Sequence, residues 1–174
     1  MKANRREGQL SVVATVGTDH HPFDRMIAWL DRFAADHPHV SVFVQSGTAA
    51  PPRACAGTSY LAHDELAERM HAADGVVSHG GPATIMAARA AGRRPIVVPR
   101  RPELGEHVDD HQVRFGRWMA ERDQIALAES QAAFDALLEA ALADPTQYLL
   151  ATDSTGAGAA GVRRFGELID GMLA

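Results

Sequence analysis

The chain has 174 residues, 46% of them apolar and 22% charged, with a formal net charge of −5. That balance suits one globular domain, excludes wholesale disorder and argues against a protein devoted to a nucleic-acid backbone. Cys55 is the one cysteine, so an intramolecular disulfide is excluded and a reducing, cytoplasmic setting is expected. No apolar run reaches the roughly 18 residues of a membrane span, and the polar first ten residues lack a secretory signal.

Short β-branched runs predict strands at residues 11–16, 40–45, 75–78, 95–99 and 124–128, with a weaker one at 58–61. Helical spacing separates them. Phe23, Ile27, Leu30 and Ala34 form the first apolar stripe, and Leu66, Met70 and Ala73 the second. Val113 and Trp118 mark a later one. Asp64 and Glu65 open the second helix, while Ser130 caps a run from 132 to 142 that Asp144 and Pro145 end. Strands alternating with helices predict an α/β, Rossmann-like parallel sheet with helices on both faces. Residues 46–57, rich in Ala, Pro and Gly, read as a loop. The predicted organisation is one domain over 1–150, then a glycine-rich linker and amphipathic helix over 151–174, with Phe165, Leu168, Ile169 and Leu173 on one face.

In such sheets ligands bind beyond the carboxyl ends of the strands, so the loops there are the candidate sites. The first is Gly17-Thr18-Asp19-His20-His21-Pro22, where glycine admits a close ligand; a plain turn explains the same residues. The second is Ser78-His79-Gly80-Gly81-Pro82-Ala83-Thr84. A Gly-Gly pair at a strand-to-helix junction exposes N–H groups at the positive end of a helix dipole, an anion site suited to a diphosphate. It matches neither G-x-G-x-x-G nor a Walker loop, and a packing turn is the alternative. The third runs from Pro99 to Gln112 and is dense in groups that bond sugar hydroxyls; its alternative is a solvated helix start. His107 and His111, four apart, are expected to share a helix face, so a metal pair is the rival. Zinc needs a further ligand that no spacing supplies, and no metal is assigned. No G-x-S-x-G, H-E-x-x-H or zinc-type cysteine pair is present.

The order and spacing of three runs carry a resemblance. They are Val13-Ala14-Thr15-Val16-Gly17-Thr18, then Ala73-Asp74-Gly75-Val76-Val77-Ser78-His79-Gly80-Gly81-Pro82 with Thr84, then Pro95-Ile96-Val97-Val98-Pro99-Arg100 continuing to Gly105-Glu106-His107-Val108-Asp109-Asp110-His111-Gln112. The chain resembles the C-terminal, donor-binding domain of the family 28 glycosyltransferases, in particular the stand-alone kind that forms half of a two-subunit enzyme. The resemblance implies the C-terminal half of a GT-B fold that binds a UDP-sugar, such as UDP-N-acetylglucosamine. Tyr60 and Leu61 would lie beside the uracil. Ser78, His79, Gly80, Gly81 and Thr84 would hold the diphosphate, with Gly17 and Thr18 opposite. Glu106 to Asp110, including His107, would frame the sugar, which His111 and Gln112 contact, and Arg100 would be a further substrate-binding residue. It further implies transfer to a membrane-presented, lipid-linked acceptor for polysaccharide or glycolipid synthesis. The catalytic base would belong to a membrane-attached partner subunit, no cofactor or obligatory metal would be needed, and the chain could sit peripherally at the membrane through that partner. Two positions depart from the family pattern: Ala83 replaces a glycine, and Ala87 replaces the acid that bonds the ribose. The second departure motivates the alternative of a nucleotide-sugar-binding module without transfer activity; an epimerase is a third reading.

Overall fold

The computed structural model describes residues 9–150; the predicted linker and tail helix over 151–174 lie outside them. Six parallel strands form one sheet in the order β3-β2-β1-β4-β5-β6. They are β1 (Ser11–Thr15), β2 (Ser41–Gln45), β3 (Ala56–Thr58), β4 (Gly75–His79), β5 (Ile96–Val98) and β6 (Ala126–Leu127). The helices are α1 (Asp24–Asp36), α2 (His63–Ala72), α3 (Pro82–Ala90), α4 (His111–Ala120) and α5 (Gln131–Ala143).

Strand alternation divides the core between the two faces. Val12, Ala14, Val42, Val44, Ile96 and Val98 pack with Phe23, Leu30 and Phe33 of the α1 segment and with Phe134 and Leu138 of α5. The alternate residues point the other way: Val13 and Val76 meet Met70 of α2 and Ala88 of α3, while Val97 meets Ile85 of α3 and Phe115 and Met119 of α4. Burial on both sides is why the central strands read as unbroken apolar runs. A Cβ on Gly75 would lie 3.2 Å from Leu138 Cδ1, so this glycine sets the closeness of α5.

Three expectations are corrected. The weak strand is Ala56–Thr58, not 58–61, and it includes the last residues of the predicted loop. A Cβ on Gly57 would sit 2.5 Å from the Val44 carbonyl oxygen, so close backbone approach rather than β-branching defines this edge strand. The buried face of α4 comprises Gln112, Phe115, Gly116 and Met119, with Val113 and Trp118 only half-buried. Finally, His107 precedes α4 and shares no helix face with His111.

Candidate functional site

The strand order reverses between β1 and β4, the switch point at which open α/β sheets place ligands. There a cleft of about 480 Å³ opens at the carboxyl edge. Thr15, Gly17, Thr18 and Asp19 line it from β1 and its loop, and Gln45 from the end of β2. Tyr60, Leu61, His63 and Leu66 contribute from the α2 side, and His79, Gly81, Pro82, Ala83 and Thr84 from the α3 side.

Glycine positions its centre. Gly17 has φ +81°, and a Cβ there would lie 2.5 Å from His79 Cε1; a Cβ on Gly81 would lie 2.2 Å from His79 Nε2. The His79 imidazole therefore fills the space between two bare backbones. Burial pushes its pKa down to about 4, and the nearby Arg100 charge adds to this, against the pull of the Thr15 carbonyl and Asp19. His79 is consequently neutral at neutral pH. Gly81 is the N-cap of α3 and Pro82 its first residue, where a missing N–H costs nothing. The N–H groups of Ala83 and Thr84 belong to the first turn, which has no intrahelical acceptors. No Arg or Lys is among the described residues lining the cleft, so an anion would be held by backbone N–H groups and the helix dipole.

Asp19 bounds the other side. Partial burial works against its charge, but hydrogen bonds from the His21 N–H and ring, with Arg100 nearby, outweigh that and hold its pKa at about 2.

Beneath these loops Arg100 is fully buried. One terminal nitrogen donates to the carbonyls of His21 (2.6 Å) and Glu106 (3.0 Å), and the other to Val16 (2.8 Å). Glu106, also buried, accepts from Arg25 through both oxygens at 2.8 Å and from the Arg101 N–H. Both side chains tie the β1–α1 loop and α1 to the β5–α4 loop. Gln112 is buried too. Its amide oxygen accepts from the Arg100 N–H, and its Cβ would lie 2.8 Å from a Cβ on Gly80.

Of the residues singled out in the sequence, the cleft gathers Gly17, Thr18, Tyr60, Leu61, His79, Gly81 and Thr84. Ser78, Gly80, Arg100, Glu106 and Gln112 are buried behind its walls. His107 and His111 lie beyond Asp19 with their rings 4.6 Å apart, and exposed Asp110 pairs with Arg114 at 3.0 Å. Gln45 and His63 were missed, and Asp19 stood in the first candidate loop without a role of its own. A polar residue closing a buried apolar strand was the available signal for Gln45. Ala87 lines a separate groove between α2 and α3, with His63, Ala67 and His71. Burial, with the Asp31 carboxylate beside it, pushes the Cys55 thiol up to about 12, away from the thiolate form. Among the described residues no helix is long and apolar enough to cross a membrane.

Solved glycosyltransferases share this architecture. CalG4, the calicheamicin glycosyltransferase, superposes with a TM-score of 0.60 at 14% identity, over 81% of this chain and 37% of its own. The glycotransferase of kitacinnamycin gives 0.62 at 16%, over 93% and 40%. SnogD from Streptomyces nogalater gives 0.49 at 16%, over 92% and 44%. The chain spans about two fifths of the length of the first two of these proteins. No curated protein matches the sequence significantly. The fold is one Rossmann-like half of a GT-B glycosyltransferase. The sequence pattern of the glycosyltransferase family 28 C-terminal domain matches residues 32–159, and the chain belongs to that family.

Proposed function

We propose that the chain is the donor-binding subunit of a two-subunit glycosyltransferase that uses a UDP-sugar. The observation that carries this is the α3 N-terminus opening behind Gly81 onto the cleft, at the switch point of a family 28 domain. The diphosphate lies on the Gly81–Thr84 turn with Gly17 and Thr18 opposite, and the base lies by Tyr60 and Leu61. Charge developing on the departing UDP is stabilised by preorganised N–H groups and the helix dipole, which need no reorganisation during the reaction. His111 recognises the sugar, for which UDP-N-acetylglucosamine is the first candidate, and Gln112 supports it from behind the wall through its bond from the Arg100 N–H. Arg100 and Glu106 hold the loops that position them.

The resemblance to the stand-alone kind of family 28 domain supports an acceptor half on another polypeptide. That partner supplies the catalytic base and a membrane-presented, lipid-linked acceptor, and holds this chain at the cytoplasmic membrane face. Ala87, without a carboxylate for the ribose, favours the second reading, a nucleotide-sugar-binding module without transfer activity. Calorimetry with UDP and UDP-sugars, followed by UDP release with and without an acceptor-binding subunit, separates the two. Binding by the isolated chain and turnover only in the pair supports the transferase. Binding with no turnover in any pairing supports the module, and absence of UDP binding overturns both.

A further inference from the structure

The carboxyl ends of four adjacent strands carry a row of polar residues. Ser78 of β4 stands in register with Thr15 of β1, Thr15 with Gln45 of β2, and Gln45 with Thr58 of β3. In-register neighbours turn to the same face of a sheet, here the face of α2 and α3, toward which Val13 and Val76 also point. Thr15 and Thr58 are satisfied by their own loops. Thr15 Oγ1 accepts from the Gly17 N–H at 3.1 Å, and the Thr58 hydroxyl donates to the Tyr60 carbonyl at 3.3 Å. Ser78 Oγ lacks a partner but is fully buried behind the cleft wall. Gln45 differs from all three. It is only 3% exposed, its Oε1 is buried without a hydrogen-bond partner, and among the described residues no group bonds either end of its carboxamide. It nevertheless lines the cleft.

We propose, on the donor-binding reading above, that Gln45 reads the ribose of the nucleotide, its carboxamide bonding the ribose hydroxyls. Its place in the sheet decides which part of the ligand it meets. The diphosphate site at the α3 N-terminus follows β4, with Gly17 and Thr18 after β1. Tyr60 and Leu61, where the base is placed, follow β3. Gln45 closes β2, between these two sites, and neighbouring strands lie about 4.8 Å apart. The part of a nucleoside diphosphate that joins diphosphate to base is the ribose. Its hydroxyls both donate and accept, and a carboxamide offers an oxygen acceptor and two N–H donors. A half-turn of the amide exchanges oxygen and nitrogen, so it can present either to a hydroxyl.

A glutamine kept for the fold would be bonded within it. Burying an amide oxygen without a partner destabilises the protein, and a bound hydroxyl donor removes that cost. The backbone that carries Gln45 is fixed from both sides. Its carbonyl accepts from the Val16 N–H at 3.1 Å. The next residues donate to β3 and its loop, Ser46 to the Thr58 carbonyl at 2.9 Å and Gly47 to the Ser59 carbonyl at 3.0 Å. A Cβ on Gly47 would clash with the Gly17 carbonyl oxygen, so the loop after β2 lies tightly against the loop after β1. The carboxamide is therefore mounted before a ligand arrives, which lowers the ordering cost of binding.

The imide edge of the base is the other group with which a carboxamide could pair. That pairing would put the base over β2, away from Tyr60 and Leu61 after β3. The two assignments predict different losses. A ribose reader discriminates against analogues that lack a hydroxyl, whereas a base reader discriminates between uracil and cytosine.

The test is calorimetry on the full chain with UDP, 2′-deoxy-UDP, 3′-deoxy-UDP and CDP. The parent should bind UDP about 10-fold more tightly than at least one of the two deoxy analogues. Gln45→Met keeps an unbranched side chain of similar size and removes its polar end. In that variant the preference should fall to about 2-fold or less, through weaker UDP binding with the deoxy affinities close to the parent's. Its melting temperature without ligand should equal or exceed the parent's, because an unpartnered amide has left the interior. A marked loss of stability would show that Gln45 serves the fold and overturns the assignment. So does a ribo-to-deoxy preference that survives in Gln45→Met, and so does a variant that loses only the preference for UDP over CDP, which assigns Gln45 to the base. The parent measurement needs no variant and separates the two levels of failure. A parent that binds UDP and both deoxy analogues equally well overturns the role of Gln45 alone. A parent that binds no UDP overturns the donor-binding reading and the ribose contact with it.

Discussion

His79 shows how one residue sets demands on its neighbours. Its ring leaves no room for a Cβ at either Gly17 or Gly81, so both glycines are required by the protein itself before any ligand is considered. Gly81 has φ −73°, which any residue can adopt, so the penalty there is steric. Gly81→Ala is expected to cost about 1–3 kcal/mol through overpacking and to lose UDP binding. Adding His79→Ala should recover much of the stability without restoring UDP binding. A chemical-denaturation double-mutant cycle checks this, and additive effects would show that the ring is not the obstacle. The same burial makes stability depend on pH. The folded-state pKa is about 4 against an ordinary 6.5, so between these values the unfolded chain holds a proton that the folded chain refuses. Stability should fall as pH drops through that window, by about 3 kcal/mol at most. Burial also lowers the pKa of His107, leaving a smaller limb of the same sign. Asp19 acts elsewhere, because its stabilisation is lost only as pH falls from 3.8 toward about 2. Denaturant titrations across the acid range should show His79→Gln flattening most of the upper limb; an unchanged slope would mean that His79 is protonated in the fold.

At the scale of elements, the loops after β1 and β5 are separated by β4 yet act as one unit because Arg100 bridges three of their carbonyls. Lysine offers a point charge and cannot span Val16, His21 and Glu106 together. Arg100→Lys should therefore lose about 3 kcal/mol and speed amide exchange across residues 17–21 and 101–111. A melting temperature equal to the parent's, with unchanged exchange, would show that the bridge is dispensable. This bridge also marks the limit of what the sequence discloses. β1, β2, β4 and β5 were legible because burial on both faces demands β-branched runs. The Gly-Gly turn before α3 was legible because few other residues suit a backbone meant to be approached closely. β3 was displaced because Ala56-Gly57-Thr58 is a strand by proximity to Val44, which leaves no apolar signature. Arg100 and Glu106 read as ligand groups because polar density after a strand looks the same whether it faces a substrate or a set of carbonyls. The partners that decide the matter, His21 and Arg25, lie about 80 residues away and have no fixed spacing to them.

For the whole molecule, four large apolar residues are exposed among the described residues; Leu149 lies apart beside Arg93, and the other three share one edge. Tyr60, Leu104 and Val108 are 65%, 55% and 74% exposed, and all three sit on loops at the carboxyl edge of the sheet that carries the cleft. Burying them would be favourable at about 25 cal/mol per Å² of apolar surface, and the acceptor half proposed above would meet this edge. Leu104 and Val108 make no core contact, so Leu104→Asp with Val108→Asp should leave the melting temperature and UDP affinity of the isolated chain close to the parent values, as surface substitutions usually do within about 0.5 kcal/mol. In the presence of an acceptor-binding subunit the outcome should differ. Two carboxylates placed in a dry interface without partners are costly, so co-purification and turnover should both be lost. Size-exclusion chromatography of the mixed subunits, with a UDP-release assay on the same samples, gives the answer. If the double variant still assembles and turns over like the parent, the partner docks on another face and the exposed carboxyl edge serves the ligand alone.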